Sequence, residues 1–126
     1  MTETTPNKRT VEAYMDAYSR TARAEILDCL TDDVRWDIAG AFHTHGKPEF
    51  DAHIVDPYSA GNPEITITRL TEENDVVIAE GTVRAARLDG TVLTLDYCDV
   101  FEMRDGKVAR LISYLMTTHD ASEPTG

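Results

Sequence analysis

The chain is short of positive charge: 12 Lys and Arg stand against 23 Asp and Glu, a formal charge of −11 over 126 residues. Nucleic acid and anionic membrane surfaces both call for a basic face that neutralises phosphate, so this balance argues against either as a partner. Cysteine is scarce too. Cys29 and Cys98 have no C-x-x-C spacing and read as reduced, buried thiols rather than a disulfide framework. No run of 18 apolar residues occurs, and the opening MTETTPNKRT has no apolar stretch like that of a signal peptide. The expectation is a soluble, cytoplasmic protein with one domain over residues 7–118 and loose polar ends at 1–6 and 119–126.

What is present divides into helices first and strands afterwards. Val11, Tyr14, Met15 and Tyr18 recur at helical spacing and predict an amphipathic helix over 7–20, with Pro6 near its first turn. A shorter helix over 23–30 turns Ile26, Leu27 and Leu30 inward until Thr31-Asp32-Asp33 ends it. Val34, Trp36 and Ile38 then alternate with Arg35 and Asp37, the pattern of a strand with one buried face. Residues 40–46 read as a loop, and a third helix opens at Pro48, carries Phe50, His53 and Ile54, and stops before Ser59-Ala60-Gly61-Asn62-Pro63. Four strands follow, at about 64–71, 75–87, 91–104 and 107–117, punctuated by Glu73-Asn74, Asp89-Gly90 and Asp105-Gly106. This order predicts an α+β fold: a cone-shaped, curved, mainly antiparallel sheet wrapped by three N-terminal helices, with a pocket on its concave face.

Hairpin geometry then says which side chains meet. A two-residue turn at Asp89-Gly90 sets Leu88 against Thr91, and counting back places Glu80 opposite Asp99. A three-residue loop with a glycine bulge at Asp105-Gly106 sets Asp99 against Leu111, so that Leu111, Ser113 and Leu115 share its surface with Leu95, Tyr97 and Phe101. Two carboxylates facing each other on an apolar surface cannot both ionise easily, so one of Glu80 and Asp99 holds its proton near neutral pH. The alternative is a bulge that turns Glu80 outward to an Arg or Lys. On the same register Val77, Ala79, Gly81, Val83 and Ala85 face outward, opposite Val92, Thr94, Asp96, Cys98 and Val100. An apolar outer sheet face of this kind marks a partner, most simply a second copy of the chain.

Several stretches carry a family pattern: Tyr14-x-x-Ala17 on the first helix, Leu30-x-Asp32-Asp33-Val34-x-Trp36 entering the first strand, Gly46-Lys47-x-x-Phe50 opening the third helix, and DVFEMRDGKV from Asp99 running on to Ser113-Tyr114. With this layout the chain resembles the nuclear transport factor 2-like superfamily, in its SnoaL-like polyketide cyclase and ketosteroid isomerase-like branch, over residues 8–117. The resemblance implies a homodimer and a hydrophobic pocket for a small apolar or cyclic carbonyl compound, without metal or other cofactor. In ketosteroid isomerases a tyrosine and an aspartic acid kept neutral by its apolar surroundings form an oxyanion hole, and Tyr14 and Asp99 match those positions. Tyr14 equally fits a ring that only fills the core. The position of the proton-shuttling aspartate holds Ile38, with Asp37 turned to the other face. Ser113 stands where the epoxide hydrolase branch places an aspartate, which disfavours that reaction.

Three of the four histidines, His43, His45 and His53, follow this vacancy. They admit three readings: ligands of a metal, a general acid or base replacing the lost aspartate, or rim residues without chemistry. The spacing fits no dedicated zinc pattern, and alternation leaves one of His43 and His45 facing inward. His53, one turn after Phe50, lines the pocket above Trp36 and Ile38, beside Ile54. Two functions therefore stand side by side: an isomerase or cyclase working by general acid–base catalysis, and a non-catalytic ligand-binding or dimerisation protein that has lost its base.

Overall fold

The computed structural model of the protein describes residues 4–120. Of the expected loose ends, 1–6 and 119–126, residues 1–3 and 121–126 lie outside the described residues, whereas Thr5 and Pro6 begin the first helix and residues 119–120 close the last strand. The elements run α1 (Pro6–Ser19), α2 (Arg23–Asp28), β1 (Leu30–Ile38), β2 (Phe42–His45), α3 (Lys47–Ala52), β3 (Glu64–Glu73), β4 (Val76–Ala86), β5 (Val92–Arg104) and β6 (Lys107–Asp120). Helix α1 begins where Thr5 caps it, its side chain accepting from the Lys8 N–H at 3.1 Å, and Pro6 occupies the first turn, where no amide hydrogen is needed. Its buried side chains, Val11, Tyr14, Met15 and Ala17, form one stripe. Each large member contributes about 1.5–3 kcal/mol on leaving water.

The sheet is six-stranded, curved and unclosed, in the order β2-β1-β6-β5-β4-β3, with β1 and β6 parallel and every other pair antiparallel. Val11, Tyr14, Phe50, Trp36, Phe101 and Leu111 pack between the helices and the concave face. Two expectations change at the edges. Residues 42–45, expected as loop, form an edge strand on β1, with Trp36 paired to Thr44 and Asp37 to His43. The third helix ends at Ala52, short of the expected stop: at His53 (φ −105°, ψ 1°) the chain tightens, with His53 N–H donating to Phe50 O at 3.0 Å and Ile54 N–H to Asp51 O at 3.2 Å in place of the i−4 pattern.

The two Asp-Gly turns exchange the geometries expected of them. At Asp89-Gly90 the loop holds three residues: Gly90 N–H donates to Arg87 O at 3.0 Å, Arg87 N–H donates to Thr91 O at 2.9 Å, and Gly90 takes φ +89°. The extra loop residue slips β4 against β5 by one, so Glu80 pairs with Cys98, and Ala79 rather than Glu80 stands opposite Asp99. A one-residue slip exchanges the two faces of a strand. Val77, Ala79, Gly81, Val83 and Ala85 therefore face the core and the cavity, while Ile78, Glu80, Thr82 and Arg84 face out beside Val100, Cys98, Asp96 and Thr94. At Asp105-Gly106 the turn has two residues, with φ +53° and +77°, and Arg104 pairs directly with Lys107. A bulge between Glu102 and Met103 then sets Asp99 opposite Ser113 rather than Leu111. That difference of two residues leaves Leu111, Ser113 and Leu115 on the expected face.

Candidate functional site

Between α1, the segment from Ala52 to Pro63 and the concave side of the sheet lies a cavity of about 690 Å³. Tyr14, Tyr18, Trp36, Ile38, Phe42, Ile54, Tyr97, Leu111 and Leu115 make most of it apolar or aromatic. Thr21, His53, Asp56, Ser59 and Asn62 add polar atoms to its lining. Among the described residues no Lys or Arg lines it. Phe50 and Phe101, expected as wall residues, lie behind the wall with no exposure: Phe50 stacks on Trp36 at 4.6 Å between ring centroids, and Phe101 meets the Tyr14 ring edge-on at 5.4 Å.

Asp99 is the buried acid of this cavity, 9 % exposed. Burial raises its pKa from 3.8 to about 7, against a smaller lowering by the hydroxyl of Ser113, its partner across β5 and β6. Ser113 is in turn held by Trp36, whose indole Nε1–H donates to Ser113 Oγ at 3.0 Å. The second carboxyl oxygen, Asp99 Oδ1, is buried and has no hydrogen-bond partner. Near neutral pH the group is therefore divided between carboxylate and carboxylic acid, and the acid form can donate a hydrogen bond into an apolar space. Tyr14 lines the same cavity, and burial, followed by Tyr18, Asp99 and Cys29, holds its hydroxyl well above the usual tyrosine value and therefore neutral. The Tyr18 hydroxyl is committed elsewhere, donating to Ile54 O at 3.1 Å and tying α1 to the segment after α3.

The other candidate side chains separate by face. Glu80 points out of the sheet into a two-pronged bond with Arg69, which holds its pKa below the usual value despite some opposing desolvation. No Glu80–Asp99 dyad forms, and the outward alternative describes Glu80. His43 and His45 are two residues apart on one strand and so share a face, the outer one. There His43 Nδ1 lies 2.8 Å from Asp37 Oδ1, Arg110 Nε donates to Asp37 Oδ2 at 2.9 Å, and the His45 amide donates to Glu49 Oε1 at 2.9 Å. Burial pushes the Asp37 pKa up, but the bonds from His43 and Arg110 outweigh it and the value is lowered. Neither histidine faces inward. Among the described residues no three His, Cys, Asp or Glu side chains converge as a ligand set.

His53 alone of the three lines the cavity. Its Nδ1 sits 3.0 Å from Glu49 O, and a carbonyl only accepts, so Nδ1 carries the hydrogen and the neutral ring keeps its free lone pair on Nε2. Phe42 braces the ring at 4.4 Å. Ile38 is a wall residue and Asp37 points the opposite way, as the alternation of β1 predicts. Sequence reasoning missed Phe42, in the stretch expected as loop, although Phe42 and Thr44 alternating with His43 and His45 was an available signal. It also missed Trp36 as a hydrogen-bond donor, because that role appears only once Ser113 is seen opposite Asp99.

Solved structures share this fold. An NTF2-like protein of unknown function from Burkholderia pseudomallei superposes with a TM-score of 0.82 at 21% identity, covering 89% of this chain and 92% of that one. An LEH-like epoxide hydrolase from M. tuberculosis gives 0.79 at 22% identity over 91% and 86% of the two chains. A protein with a ketosteroid isomerase-like fold from Catenulispora acidiphila, solved with trimethylamine, gives 0.76 at 16% over 83% of each. At these identities the likeness concerns the fold. No curated protein sequence matches the chain. The family model described as the SnoaL-like domain matches residues 11–111, through both the helices and the sheet that build the cavity, and the chain belongs to that family.

Proposed function

We propose that the protein binds a small apolar or cyclic carbonyl compound and isomerises or cyclises it by general acid–base catalysis. The observation that carries this reading is the Asp99 carboxyl, buried in the wall of a mostly apolar cavity with no hydrogen-bond partner on Oδ1. In its acid form Asp99, with Tyr14 beside it in the lining, stabilises or protonates the oxygen of an enolate as charge develops there. His53 Nε2 takes the place of the absent carboxylate base and moves the proton at carbon. Among the described residues no Lys or Arg lines the cavity, so the ligand we propose is neutral: a carboxylate or phosphate entering it would lose its hydration without finding a fixed counter-charge.

One observation favours the competing, non-catalytic reading: Ile38 cannot accept a proton, and a pocket without a base still binds. A panel of β,γ-unsaturated cyclic ketones separates the two, together with binding of a phenol, which mimics an enolate, and of the matching hydroxybenzoate. The catalytic reading expects turnover that falls roughly 10²–10⁴-fold in kcat/KM for Asp99→Asn and for His53→Gln. It also expects phenol to bind and hydroxybenzoate not to. Binding of phenol without turnover of any ketone would leave the ligand-binding reading standing alone, and tighter binding of the benzoate would sink the neutral-ligand argument.

A further inference from the structure

Trp36 and Ser113 come from different strands and meet at Asp99. Ile38 and Asp99 both pair with Ser113, one from each side of β6, so the Ser113 side chain lies between β1 and β5 on the cavity face. Trp36, two residues earlier on β1, shares that face and reaches Ser113 Oγ with its indole nitrogen at 3.0 Å. An indole N–H only donates. The Ser113 oxygen is therefore an acceptor toward Trp36, and its one hydrogen is free for Asp99. We propose that Trp36 and Ser113 are positioning residues for Asp99: the indole holds the Ser113 oxygen, and the Ser113 hydrogen is thereby turned onto the Asp99 carboxyl across the β5–β6 pair.

This deepens the general-acid reading, and rests on it for what the ligand is, while the relay itself is a property of the free protein. Its consequences follow from the direction of the bonds. Donation from Ser113 favours the charged carboxylate and lowers the Asp99 pKa against the larger upward push of burial. Donation from Trp36 polarises the Ser113 hydroxyl and strengthens that effect. Other titratable groups face Asp99 or share its cavity: Tyr14 and Tyr18 from α1, Tyr97 from β5, and His53 and Asp56 from the segment after α3. Cys98 lies one residue away on the opposite face of β5, and the cavity-facing residues of β1 and β4 beside Asp99 carry no titratable group.

The chain has one tryptophan, so a single indole resonance reports on the relay. In ¹H–¹⁵N spectra of the ¹⁵N-labelled wild-type protein, the Trp36 indole peak is expected to move with pH in step with the ¹³C carboxyl signal of Asp99, at a common midpoint near 7. Asp99→Asn removes the movement. Ser113→Ala shifts the peak to higher field, makes it independent of pH and raises the Asp99 midpoint by about one to two pH units, whereas Ser113→Thr restores both signals. Trp36→Phe raises the midpoint by less. An indole peak that stays still through the Asp99 titration, or a Ser113→Ala protein with an unchanged Asp99 midpoint, overturns the relay. Tracking resonances in a protein that turns over no ketone keep the relay and remove the general-acid reading. Asp99-dependent turnover with a static indole does the reverse.

Discussion

Asp99 is a conflict that the chain retains at residue scale. A carboxyl that sits at 3.8 when exposed and about 7 when folded binds its proton more tightly in the native state than in the unfolded one. Across the interval between those values the native protein holds a proton that the unfolded chain has released, so stability falls as pH rises. The contribution is fully present below pH 4 and gone above 7, and at 1.36 kcal/mol per unit it amounts to roughly 4 kcal/mol. Asp99→Asn keeps a neutral group of the same shape at every pH. Its stability relative to wild type is therefore expected to climb by about that amount between pH 4 and pH 8, measured by urea unfolding at several pH values. A difference that stays flat across this range would mean that Asp99 is not held neutral. Asp37 behaves oppositely: its lowered value means that its contribution is lost as pH falls, below the window in which Asp99 acts.

The strands show how far element geometry could be read from sequence. Alternation alone placed Trp36, Ile38 and Asp37 on their correct faces, because within one strand side-chain direction depends only on parity. Pairing between strands depends in addition on the length of a turn, and Asp-Gly fits both a two-residue turn and the end of a three-residue loop. One residue of error at Asp105-Gly106 and a second at the Glu102–Met103 bulge together preserved the Asp99 surface, whereas one residue at Asp89-Gly90 turned Glu80 from a cavity acid into a surface partner of Arg69. Gly81 was a further cue that the sequence reading left unused. A Cβ there would lie 1.8 Å from Thr66 O and 2.7 Å from the Tyr97 hydroxyl, which crosses the glycine to donate to that same carbonyl at 3.2 Å. Gly81→Ala is expected to destabilise by about 3 kcal/mol, by forcing β3 away from β4. Gly90→Ala, with open space around it but φ +89°, should cost only about 1–2 kcal/mol from backbone strain. Equal losses in denaturant unfolding would contradict the close approach at Gly81.

At the scale of the whole molecule the acidic surface is uneven. On the outer side of the sheet several charged side chains pair with one another: Arg69 with Glu80, Arg110 with Asp37 and Glu102, and Arg84 with Glu64 at 4.0 Å. Between these pairs lie Ile78, Val100, Ile112 and Tyr114, with Met116 beyond; Tyr114 is 53% and Met116 68% exposed. A chain of charge −11 resists meeting its own copy over most of its surface, but over this face much of the repulsion is cancelled locally and apolar area is available. We propose a homodimer through the outer face, on the strength of these ion pairs and the exposed apolar side chains between them, built from a residue set with the β4 members exchanged relative to those expected from sequence. Sedimentation equilibrium is expected to find a wild-type dimer that Tyr114→Glu with Met116→Glu converts to monomer. Phenol binding should persist in that monomer, since the cavity opens on the other side of the sheet. A monomeric wild-type protein, or a double variant that still dimerises, would remove this face as the contact between copies.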